Sequence, residues 1–221
     1  MKRLISSLLL AFGVLFAGAA ADEKLSGHPT ATEAPFVRDV AADLTARFAT
    51  TAAARKAGYI RYTDEDNTGA ISYANRQWTS KDENHPSQLW YDVKGRLIGA
   101  DFSVLQADSP AAPHLFGVDP SRWQKISAHV HYGLVGPNGT TIYGGAGAKT
   151  MAKGGGTVDR PTAAALVAAG IAKSTSDVRF FFTFPAIWDL TVWVIPNRDG
   201  AFADANPDVK PAGKPGAPDS M

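Results

Sequence analysis

The 221-residue sequence predicts an α+β fold: an antiparallel, strongly twisted or barrel-like β-sheet packed by an N-terminal amphipathic helix, with a short second helix. Three observations predict it. A stripe of apolar residues at helical spacing near the start gives way, from Tyr59 onward, to β-branched and aromatic residues with a period of two, and the connections between those runs are short and turn-like.

The first 21 residues stand apart. Lys2 and Arg3 precede an apolar run over 4–16, and small residues come next at Ala17-Gly18-Ala19 and Ala19-Ala20-Ala21. This is the pattern of a cleaved secretory signal peptide, and its apolar part is shorter than the roughly 20 residues a membrane span needs. Residues 22–34 read as a polar, mobile leader, 35–209 as a single α+β domain, and 210–221 as a disordered tail rich in Pro, Gly and Lys.

Within the domain, Phe36, Val37, Val40, Leu44 and Phe48 share one helical face while Asp39, Asp43, Arg47 and Arg55 lie off it, so a helix runs from 36 to about 56. Pro35 suits its first turn and Gly58 its stop. Strands are expected over 58–62, 70–78, 88–93, 96–105, 124–135, 140–143, 178–184 and 188–195. Tight turns around Lys94-Gly95 and Asn138-Gly139 make the pairings antiparallel. The glycine-rich stretch 144–156 is expected to be flexible or tightly turned, and the second helix to occupy 161–172.

Composition narrows the function classes. Removing Lys2 and Arg3 turns 22 basic against 21 acidic residues into 20 against 21, a formal charge of −1, which offers no footprint for nucleic acid. The chain has no cysteine, so neither disulfides nor an N-terminal lipid anchor are available to it, and no later segment is apolar enough to span a membrane. The expected address is periplasmic or secreted.

The residues that carry chemistry centre on "KISAHVHYGLVGPNG". On a strand, His129 and His131 point to one side and Ala128, Val130, Tyr132 and Leu134 to the other, which reads as the core side. Two imidazoles on one rigid face can reach a single metal ion, zinc or copper being the natural choices, and a third or fourth ligand must come from elsewhere. His114 heads the candidates, followed by His85, Asp101, Asp189 and Glu83. The plain alternative is a half-exposed face on which both rings bond to neighbours or water. The same pair could contact a small-molecule ligand or serve as an acid–base group.

Other motifs fall away. "TDEDNTGAISYAN" sets Asp64, Asp66 and Gly69 at calcium-loop positions, but Thr68 stands where Asp or Asn is usual and Asn75 where the bidentate Glu belongs, so it reads as an acidic turn. "GGAGAKT" lacks both fixed glycines of a phosphate loop. There is no G-x-S-x-G elbow. Of Trp188 and Trp193, which fall on opposite faces of one strand, only one is expected to be fully buried.

Two stretches carry a resemblance. "HPSQLWYDVKGRLIGADFSV" fits a P-x-x-L-x-Y-D-x-x-G-x-L-x-G hairpin, and "VWVIPNRDGAFADANPDV" contains P-N-x-x-G-x-F-A-x-x-N-P. In these the chain resembles, over roughly 52–209, a recurring group of uncharacterised bacterial exported proteins, and the resemblance implies no activity. Read physically, the second motif is a clasp: Pro196 ends a strand, Asn197 and Gly200 turn the chain, and Phe202 anchors the loop beyond them. The function classes left open are a binder of a transition metal or small ligand through His129 and His131, a metal-dependent or histidine-based periplasmic enzyme, and an envelope structural protein without a site.

Overall fold

The computed structural model describes residues 26–80 and 82–213; the expected signal peptide and most of the expected tail lie outside them. Among the described residues nine strands form two antiparallel sheets: β1 (Ile60–Arg61), β2 (Ile71–Ala74), β3 (Gln88–Tyr91), β4 (Leu97–Leu105), β5 (Gln124–Ile126), β6 (His129–Val135), β7 (Thr141–Gly147), β8 (Val178–Phe184) and β9 (Ile187–Trp193). The larger sheet runs β1-β2-β3-β4-β9-β5 and the smaller β7-β6-β8. The fold is thus α+β, with two open sheets in place of the barrel that the turn spacing left open.

One face of the larger sheet presents Leu89, Tyr91, Ala100, Phe102, Leu190 and Val192 to the apolar stripe of α1 (Ala34–Phe48), whose Phe36, Val40, Leu44 and Phe48 are all buried. The other face meets the smaller sheet, where Tyr62, Ala74, Trp78 and Ile187 pack on Phe182 and Phe184. The far side of the smaller sheet is covered in turn: Val130 and Ala146 lie under Met151 of α3 (Ala148–Lys153) and under Ala165 and Leu166 of α4 (Ala163–Ala168).

Several elements depart from the sequence expectation. The helix expected over 36–56 is two, because Thr50 leaves helical geometry and its hydroxyl accepts from the Ala53 N–H to cap α2 (Thr51–Lys56). The buried Tyr91 hydroxyl donates to the Phe48 carbonyl at 2.8 Å, so that carbonyl is satisfied without helical continuation. α4 is shorter than 161–172 and begins at the Thr162 cap, whose hydroxyl accepts from the Ala165 N–H.

The glycine-rich stretch is ordered as the end of β7 and as α3, and Gly144 and Gly154 in it serve close approach. A Cβ on Gly144 would lie 2.5 Å from the Tyr132 hydroxyl, and one on Gly154 would collide with the Ala165 carbonyl oxygen, where α3 and α4 touch.

The strand expected over 124–135 is also two. The β5–β9 ladder ends at Ile126 opposite Ile187, and the β6–β8 ladder begins at His129 opposite Phe184. The chain therefore crosses between the sheets twice, side by side, through 127–128 and 185–186. Pro185 marks one crossing, having no N–H for a ladder; Ser127-Ala128 marks the other with nothing a sequence pattern registers.

The leader expected to be mobile is held down from Ser26 onward. Arg122 donates to the carbonyls of Ser26 and His28, and the Phe202 N–H donates to Gly27. The same guanidinium grips Glu33, which is 1% exposed, through Nε to Oε1 at 3.1 Å and Nη2 to Oε2 at 3.0 Å. It also lies 4.8 Å over the Phe202 ring. The closing motif is a clasp: the Asn206 amide donates to the Pro196 carbonyl at 2.9 Å, the Trp193 indole donates to the Ala203 carbonyl at 2.8 Å, and Phe202 packs on the main core. Trp193 is the buried member of its pair and Trp188 the half-buried one.

Burial by itself would raise the Glu33 carboxyl, but the hydrogen bonds from Arg122, Thr30 and Asp119 outweigh it and hold the group at about 2. Its contribution to stability is therefore present above the ordinary carboxylate range and lost as the pH falls toward 2. Arg122→Ala, which leaves Glu33 buried without a counter-charge, is expected to lower the unfolding free energy at pH 7 by on the order of 3 kcal/mol or more. Urea titrations of both proteins should show that gap narrowing below pH 4; a gap independent of pH would mean that the ion pair is not its source.

Candidate functional site

β6 places His129 and His131 as alternation requires, on one side of the strand with Val130 on the other. The side expected to be half-exposed or site-lining is in fact interior: His129 is 5% and His131 3% exposed, because the larger sheet packs over them. Both faces of the strand are buried over His129, Val130 and His131. The two rings turn toward each other with their Nε2 atoms 3.0 Å apart.

The surroundings of the pair are aromatic. His129 stacks on Phe184 at 4.7 Å, His131 lies over Phe182 at 5.8 Å, and the Tyr62 ring stands edge-on to His131 at 4.6 Å. Trp78 closes the far side, 4.6 Å from Phe184 and 5.9 Å from Phe182. Its backbone has φ +55°, a region that costs a bulky residue on the order of 1–3 kcal/mol, so the surrounding packing holds it there. Tyr62 in turn donates its hydroxyl to the Gln88 side-chain carbonyl.

Hydrogen bonding fixes the tautomer of the first ring. The Ser127 carbonyl, 2.9 Å away, can only accept, so His129 Nδ1 carries the proton and Nε2 presents a lone pair toward His131. Burial pushes the His131 imidazole down to about 3, and the neighbouring His129 ring adds to that shift. At neutral pH His131 is therefore uncharged.

The structure does not bring the other ligand candidates to the pair. His114 is exposed in the segment between β4 and β5. His85 and Glu83 lie on the segment between β2 and β3, where His85 Nδ1 meets the Asp82 carboxylate at 2.7 Å. Among the described residues, no group of three or more His, Cys, Asp or Glu side chains is arranged to hold a metal ion. Asp66 accepts from the Thr68 and Ala70 N–H groups and so serves its own turn.

Asp101 and Asp189, named in the sequence only as separate ligand candidates, form a carboxyl pair on adjacent central strands. Asp101, 3% exposed, accepts from the Trp90 indole at 2.8 Å and the Thr191 hydroxyl at 2.9 Å. Asp189 accepts from the Ser103 hydroxyl at 2.8 Å, and Ser103 meets Ser87 at 2.5 Å. Burial pushes Asp189 up to about 7 and, with Asp189 beside it, Asp101 well above its ordinary value. The two share a hydrogen bond, so the pair retains a proton into the neutral range. A signal was available: "LIGADFSVL" and "IWDLTVW" each carry one carboxylate in an otherwise apolar or hydroxyl-bearing strand, where only a paired or protonated acid can sit.

No family model, curated protein or solved structure matches the chain.

Because the folded-state values of the pair lie above the ordinary aspartate range, its stabilising effect is full below about pH 4 and fades as pH rises through 7. Unfolding free energies measured in urea at pH 5, 7 and 9 should therefore fall across that series, and Asp189→Asn, which cannot ionise, should flatten the decline. An equally steep decline in the variant would assign it to other groups.

Proposed function

We propose that the protein is an exported metal-binding protein that holds one zinc or copper ion between His129 and His131, in the aromatic interior between its two sheets. The observation that carries this reading is the convergence of the two Nε2 atoms at 3.0 Å with His129 Nδ1 tied to the Ser127 carbonyl. Such a bond from the outer nitrogen to a carbonyl is how ligating histidines are oriented and kept basic.

Distances support it. Two nitrogens each 2.0–2.1 Å from a tetrahedral zinc stand about 3.3 Å apart, so the rings need to part by only a few tenths of an ångström. Imidazole nitrogens suit zinc and copper and are poor partners for calcium or magnesium, which take oxygen. The apolar rings exclude bulk water, which favours retention of the ion once bound.

The test is a titration of the purified chain with zinc(II), and with copper(I) under reducing conditions, read by bound metal after gel filtration. One equivalent should be retained, and His129→Gln and His131→Gln, which keep side-chain volume, should each abolish retention while preserving the circular dichroism spectrum. Undiminished retention by both folded variants would end this reading.

A further inference from the structure

The hairpin tip between β6 and β7 carries the one Asn-Gly pair in the sequence, Asn138-Gly139. Both residues are exposed, and both have left-handed backbone, with φ +54° and +76°. A Cβ placed on Gly139 would meet nothing within 4 Å. Among the described residues nothing hydrogen-bonds the Asn138 side-chain amide. The turn is closed by bonds from the Gly136 N–H to the Thr140 carbonyl and from the Thr140 N–H to the Pro137 carbonyl, which restrain the tip without burying it.

An asparagine carries an electrophile, its side-chain carbonyl carbon Cγ, and the next peptide nitrogen is a nucleophile held on the same molecule. The usual obstacle is the side chain that follows, which crowds that nitrogen; glycine has none. The other asparagines lack one condition or another. Asn75 and Asn197 use their side-chain oxygens to accept from the Gln77 and Asp199 N–H groups. Asn206 is tied to the Pro196 carbonyl and is followed by Pro207, which has no N–H. Asn67 and Asn84 precede Thr68 and His85, whose side chains stand in the way.

We propose that Asn138 is a site of spontaneous deamidation in the folded protein. The Gly139 nitrogen gives up its proton to solvent and attacks Asn138 Cγ. A C–N bond forms, the Cγ–Nδ2 bond breaks, and ammonia leaves with a proton taken from water, which closes a five-membered succinimide. Water then adds to one of the two ring carbonyls and opens the ring, leaving aspartate or isoaspartate at position 138; the net exchange is one water in and one ammonia out. The new carboxylate arises at the tip where Arg179 donates to the Gly139 carbonyl at 2.7 Å and to the Thr141 hydroxyl at 3.1 Å, so the added charge has a cation beside it. In the isoaspartate product the main chain runs through the β-carbon, which puts an extra atom into the turn that sets the β6–β7 register.

The experiment ages the purified chain at mildly alkaline pH, folded and in parallel unfolded in urea, and reads the peptide spanning position 138 by mass spectrometry, with isoaspartate distinguished by enzymatic methylation. The folded chain should gain the mass of an amide-to-acid exchange at that peptide, ahead of the peptides carrying the other asparagines, and a more acidic species should separate on ion exchange. Unfolding should speed the conversion. Asn138→Gln should lose both the conversion and the acidic species, and Gly139→Ala should slow the conversion in urea as well, where the geometry of the turn plays no part. Conversion confined to the urea sample would overturn the proposal, because the folded hairpin would then protect Asn138. Equal conversion at Asn67 or Asn84 would remove the part assigned to Gly139.

Discussion

Where it carries His129 and His131, β6 has no solvent face, and the rest of the interior is arranged around that constraint. An ordinary antiparallel strand on a two-layer fold shows one side to the core and one to water. Here Val130 is pressed against α3 and α4 while His129 and His131 are pressed against the larger sheet. Polar side chains in that position lose water and must find partners inside. His129 finds the Ser127 carbonyl and His131; the pair then requires neighbours that tolerate flat rings, and Phe182, Phe184 and Tyr62 meet that need.

The same logic governs the second buried polar group. Asp101 and Asp189 lie on the central strands β4 and β9, on the face of the larger sheet that carries Trp90, Ser103 and Thr191. Two adjacent carboxylates could not both remain charged in such a place. Keeping a proton between them and surrounding them with hydroxyl and indole donors leaves one shared charge where two would be prohibitive. The interior therefore holds two polar pairs of opposite character, one of nitrogen lone pairs and one of carboxyl oxygens, and neighbouring strands supply much of what surrounds each.

What was legible in the sequence was orientation; what was not was depth. The stripe from Phe36 to Phe48, the hairpin around Lys94-Gly95 and the strand Val178–Phe184 arise from local periodicity and turn chemistry, and the structure has them. Alternation also put His129 and His131 on one side. It could not report that a second sheet covers that side, because the covering residues come from positions such as Tyr62 and Trp78, far away along the chain. The corner at Ser127-Ala128 was invisible for a related reason: a strand that changes sheets keeps its period of two. Gly144 and Gly154 suggested looseness because composition does not distinguish a glycine that turns from one that admits a neighbour. Asp101 and Asp189 were visible as residues but not as a pair, since their meeting depends on the register of β4 against β9.

That register has a consequence in time. Ser103 and Asp189, which face each other across the centre of the larger sheet, are 86 residues apart in the chain. The β4–β9 ladder therefore cannot zip until nearly the whole polypeptide is present, and closing so long a loop is slow. A chain of this topology leaves β4 without one of its two partners through most of its synthesis, and such an incompletely paired state is what the export proposed for it would require during passage across a membrane.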